Sequence, residues 1–157
     1  MQASRSRHHS ARAGTGASAR RGPPTQILAT VICAVSMLGL GVWAFAAPAS
    51  FSRFIDYAPF NRHLIHDVGA FQIGIGVALL LALAWSDALL VALSGFVVAS
   101  ALHTLSHAVD RHIGGHASDV PTLALLTLLA LYAMATRRRS RHPVEELSKE
   151  DRDAPTR

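Results

Sequence analysis

Cysteine is nearly absent from this chain: Cys33 stands alone, so neither an intrachain disulfide nor a CxxC thiol pair can form. Charge is scarce as well. Asp, Glu, Lys and Arg make up 16% of the 157 residues, and only 8 of them fall between positions 26 and 136. Acidic residues are missing altogether before position 56. No nucleophile elbow, phosphate-binding loop or HExxH motif occurs, and Gly74-x-Gly76 is too short for a dinucleotide fingerprint. Together these absences argue against a soluble enzyme, a secreted disulfide scaffold and a free nucleic-acid-binding domain.

What the chain has instead is long apolar sequence. Stretches 26–47, 68–86, 88–109 and 120–136 carry no charged residue, and each is close to the roughly 20 residues a helix needs to cross a hydrocarbon core of about 30 Å. The expected fold is all-α: a four-helix transmembrane bundle with spans near 26–47, 66–86, 88–109 and 119–136. The partner implied is a lipid bilayer, with no role for nucleic acid.

Basic residues set the expected orientation. Arg5, Arg7, Arg12, Arg20 and Arg21 precede the first span, and Arg137, Arg138, Arg139 and Arg141 follow the fourth. Both ends are therefore expected in the cytoplasm, as an even number of spans allows, in a cell inner (plasma) membrane. The short turn at Trp85-Ser86-Asp87 makes the second and third spans antiparallel neighbours. A rival reading takes Arg20-Arg21, the apolar run and Ala44-Phe45-Ala46 as a cleavable signal peptide, but that run exceeds the roughly 7–15 residues of a signal core. Residues 1–25 are too poor in large apolar side chains to fold alone and are expected to be disordered. Residues 137–157 form a charged tail with the pattern of a solvated helix or coil.

The first loop, PASFSRFIDYAPFNR, spaces Phe51, Phe54 and Tyr57 three apart. This predicts a short helix lying in the outer interface, broken by Pro59, with Asn61 capping the second span.

Six histidines gather at one membrane face: His63, His66, His103, His107, His112 and His116, accompanied by Asp67, Asp110 and Asp119. Residues four apart share a helix face, so His63 stacks on Asp67 and His103 on His107. Ala70, Gly74 and Ala78 continue the first pair inward, and Ala99 and Gly95 continue the second, small enough for close helix approach. The two pairs are expected to face each other between the second and third spans. Imidazole is the commonest side-chain metal ligand, so His63, Asp67, His103 and His107, with His66, His112 and His116 as secondary candidates, form a candidate site for a transition metal (Zn, Cu or Fe). Two histidines from different helices would alternatively ligate haem. The competing reading makes these histidines interfacial polar contacts, or a pH-responsive cluster, in an accessory subunit that has a membrane-protein partner or forms a homo-oligomer and holds no cofactor.

The run PFNRHLIHDVGAFQIGIGVALL, with a later helix ending ALHTLSHAVD and a last apolar span, resembles the small DoxX-like four-helix integral membrane proteins. The residues that carry the resemblance are Pro59, Asn61, His63, Leu64, Asp67 and Gly69, then His103 and His107, within about 38–135. It implies a membrane bundle and gives His63, Asp67, His103 and His107 priority over the other histidines. It implies no reaction. Some DoxX-like proteins are associated with redox or thiol metabolism, for which a lone Cys33 offers no thiol pair.

Overall fold

The structure, a computed structural model, describes residues 22–85 and 88–153, with side chains as far as Arg139. It is all-helical among the described residues: α1 (Pro24–Ala46), α2 (Pro48–Phe54), α3 (Arg62–Ala84), α4 (Ala88–Val109) and α5 (Asp119–Asp153). Four of these are long and apolar enough to cross a membrane, the last through Asp119–Arg139. The expected disorder of residues 1–21 lies outside the described residues.

Local chemistry sets the boundaries. Pro24 opens α1, where its missing N–H costs nothing and its fixed φ suits the first turn. Pro48 disfavours helical backbone at Ala47, which ends α1, and then opens α2 in the same way. α2 closes at Phe54 with Asp56 in the left-handed region (φ 52°), a conformation Asp tolerates better than most residues. There Tyr57 N–H donates to the Ser52 carbonyl at 3.0 Å and Asp56 N–H to the Arg53 carbonyl at 3.4 Å, the paired bonds of a Schellman ending. Tyr57 is thereby placed beyond the helix, so the expected ridge of three aromatics is reduced to Phe51 and Phe54. Phe51 turns inward against Trp43, 5.6 Å between ring centroids, and Phe54 lies 4.8 Å from the same indole. Asn61 caps α3 as expected, accepting from Leu64 N–H at 3.1 Å. This starts the helix at Arg62, as the cap predicts, ahead of the membrane span expected from about 66.

α1 packs most closely on α3 and α4 on α5, and α1 also lies along α5. Glycine makes the first of these contacts possible. A Cβ at Gly41 would stand 2.8 Å from the Gly69 carbonyl, one at Gly69 would stand 2.8 Å from the Gly41 carbonyl, and one at Gly76 would meet Leu38 and the Ala34 carbonyl. The stripes Ala70, Gly74, Ala78 and Gly95, Ala99 do not close a helix contact as expected: nothing approaches a Cβ at Gly74 or Gly95 within 4 Å. α3 carries small residues on two adjacent faces, and the bundle uses the one whose glycines match Gly41.

The α4–α5 seam is fastened by hydroxyls. Ser100 and Thr127 share a buried hydrogen bond of 2.7 Å, with Thr104 3.4 Å from the same Thr127 oxygen. Interhelical bonds of this kind average about 0.6 kcal/mol within membranes. The core around Cys33, Leu79, Leu93, Phe96, Ala130 and Ala133 draws on all four long helices. Phe71, Val91 and Leu125 point outward, as side chains facing lipid do.

Candidate functional site

The C-terminal end of α4 brings two of the expected residues together. His103 and His107 lie one turn apart with ring centroids 4.7 Å apart and planes at 86°, edge to face. Asp119, the first residue of α5, reaches the second of them: its Oδ2 is 3.5 Å from His107 Nδ1. The same oxygen accepts from His116 N–H at 2.7 Å. One carboxylate oxygen thus ties the end of α4, the connecting loop and the start of α5. His107 and Asp119 are half-buried, 31% and 26% exposed, whereas His103 is exposed.

Gly115 makes this convergence possible. It holds φ +84°, and a Cβ there would lie 2.8 Å from Asp119 Oδ2 and 3.7 Å from His107 Nδ1. Beside it, a Cβ at Gly114 would stand 3.0 Å from the Asp56 carbonyl. The ending of α2 therefore rests on the α4–α5 loop, so the first loop covers part of this end of the bundle.

The other expected residues are placed elsewhere. His63 and Asp67 pair with each other on α3, Nε2 to Oδ2 at 3.5 Å, and His63 is 89% exposed. His66 is half-buried with its ring 5.1 Å from that of Phe45. His112 and His116 are exposed in the α4–α5 loop. Among the described residues no three His, Cys, Asp or Glu side chains are grouped so that they could hold a metal ion, and His103, His107 and Asp119 are no exception. His63 and Asp67 do not join His103 and His107 in such a group, in keeping with the open space at Gly74 and Gly95.

Sequence reasoning left Asp119 out of the site, although it noted the residue beside the cluster. The available signal was its position as the first residue of the last span, four residues after Gly115. Thr104 and Thr127, one turn below His107 and two turns into α5, were passed over because a single hydroxyl in an apolar run carries no pattern of its own.

No family model matches the chain, and neither does any curated protein or any solved structure.

Proposed function

We propose that this chain is a multi-pass plasma-membrane protein, both termini cytoplasmic, that binds a divalent transition metal at its outer face through His103, His107 and Asp119. The observation that carries the reading is the 3.5 Å between His107 Nδ1 and Asp119 Oδ2. A charge-assisted N–H···O bond runs to about 2.7–2.9 Å. Two donors on a tetrahedral ion with bonds of about 2.1 Å stand roughly 3.4 Å apart. His63 and Asp67 have the same spacing, but both lie on one exposed helix face. At His107 the two donors come from two helices, and the His103 ring centroid lies 4.7 Å from that of His107. His103 and His107 do not hold a haem between them, because two imidazoles stacked on one helix 4.7 Å apart leave no room for a macrocycle. The DoxX-like motif supports the priority of His103 and His107 and adds no reaction.

A second reading has its own observation. Asp119 Oδ2 already accepts from His116 N–H, so the carboxylate would serve to hold the loop in a cofactor-free accessory subunit.

Thermal unfolding in detergent with Zn²⁺ separates the two. An ion held only by the native state at 100 times its Kd adds about 2.7 kcal/mol. Wild type is expected to melt several degrees higher with zinc, and His107→Ala and Asp119→Asn are expected to show no shift. A wild type indifferent to zinc supports the accessory reading.

A further inference from the structure

His103 stands at a depth that its own chain does not account for. On α5, Asp119 and Arg137 lie 18 residues apart, about 27 Å along the helix, and they bracket the apolar layer of the bundle. His107 is level with Asp119, with which it pairs. His103 is one turn deeper along α4, about 6 Å inside that layer, and it is exposed. Its ring meets that of His107 edge to face, and among the described residues no side chain hydrogen-bonds it.

Helix direction makes this exposure costly. Side chains lean toward the N-terminus of their own helix. α3 begins at this end of the bundle, so His63 leans out of the apolar layer, and its 89% exposure is toward water. α4 begins at the opposite end, so His103 leans further in and does not snorkel back to the near interface. An imidazole left there against hydrocarbon has an unpaired N–H and an unpaired nitrogen, which is expensive in lipid. A polar group from outside the chain has to cover it.

The helix face that carries His103 indicates the source. Gly95, Ala99 and His103 follow one another at intervals of four on α4. Nothing approaches a Cβ at Gly95 within 4 Å, and Ala99 is exposed, so a small-xxx-small surface of the kind on which membrane helices pack closely stands open. No Asp, Glu, Lys or Arg lies between 88 and 109, and two copies of this face meet without repulsion. Copies crossing the bilayer in the same sense are related by a two-fold axis along the membrane normal, which sets α4 against α4 in parallel with like residues at one depth. A neutral imidazole carries one donor and one acceptor nitrogen. It is its own complement across such an axis, whereas an acyl chain offers it nothing. We propose that the chain forms a parallel homodimer through the α4 face of Gly95, Ala99 and His103, in which one His103 donates its N–H to the bare nitrogen of His103 in the second copy. This dimer does not rest on the metal reading: an ion on His103 takes the same bare nitrogen in place of that bond.

The test is oxidative cross-linking of the full chain in phosphatidylcholine vesicles containing a chelator, with Cys33 retained because it is buried. Ala99→Cys is expected to run largely as a disulfide-linked dimer, and Gly74→Cys, at a similar depth on the exposed face of α3, is expected to stay mostly monomeric. Dissociation on dilution with lipid is followed by energy transfer between labelled copies. It is expected to be about tenfold easier for Gly95→Leu, the scale of overpacking, and about threefold easier for His103→Leu, the scale of one interhelical hydrogen bond. Unchanged far-UV circular dichroism in Gly95→Leu separates lost association from misfolding, since nothing lies within 4 Å of a Cβ at that position. Cross-linking of Ala99→Cys no stronger than that of Gly74→Cys, or a Gly95→Leu variant that associates like wild type, would overturn the proposal. So would a dimer that forms only when Zn²⁺ replaces the chelator, which would make the ion rather than the helix face the joint.

Discussion

At the residue scale the site at the α4–α5 end depends on Gly115 as much as on His103, His107 and Asp119. Its φ of +84° and the 2.8 Å a Cβ would leave to Asp119 Oδ2 give a side chain two separate costs. Gly115→Ala is expected to destabilise the protein by about 1–3 kcal/mol, the scale of a non-glycine residue held in a sparsely populated backbone region. Thermal unfolding in detergent checks it, with Gly74→Ala as the reference: in an exposed helical position with open space it should stabilise by about 0.5–1 kcal/mol. The local patterns were legible at this scale. The spacing of His103 and His107 predicts their stacking, and Asn61 predicts its own cap. Asp119 was not legible as a ligand candidate, because it lies 12 residues beyond His107, across a loop whose path depends on a glycine held at positive φ and on the resting place of α2.

At the element scale the sequence offers α3 two faces of small residues, and periodicity does not rank them. The choice falls to the partner: Gly41 on α1 presents a bare backbone to Gly69, whereas nothing comparable opposes Gly74. This is why the four spans were readable while the expected pairing of the two histidine stripes was not. A bulky residue separates the faces experimentally. Gly69→Leu is expected to disrupt α1–α3 packing and lower the unfolding midpoint by more than 5 °C, the consequence of several kcal/mol of overpacking. Gly74→Leu is expected to leave it within about 2 °C, since its side chain meets lipid. The same scale explains α5, which has 35 residues and runs on to Asp153. The charged tail was compatible with a helix or a coil, and its backbone continues the last span as helix to Asp153.

At the scale of the whole molecule, the bundle has polar chemistry at both ends and apolar packing between them. One end joins α4 to α5 through Asp119 and rests the α2 ending on their loop; the opposite end closes the core with Gln26 and Arg137. The four-helix architecture followed from charge-free runs of membrane length, whereas the chemistry at the ends follows from contacts between residues far apart in the chain. The central claim is that His103, His107 and Asp119 share one metal ion, and the most direct measurement is Co²⁺ titration of the detergent-purified protein followed by visible absorption and metal analysis. Wild type is expected to bind one Co²⁺ per chain with the intense visible bands of a four-coordinate site. His103→Ala and Asp119→Asn should each lose them, and uptake should fall as the pH is lowered, because the imidazoles must be neutral to ligate. A wild type that gives only the weak spectrum of hydrated Co²⁺, unchanged in both variants, would contradict the claim.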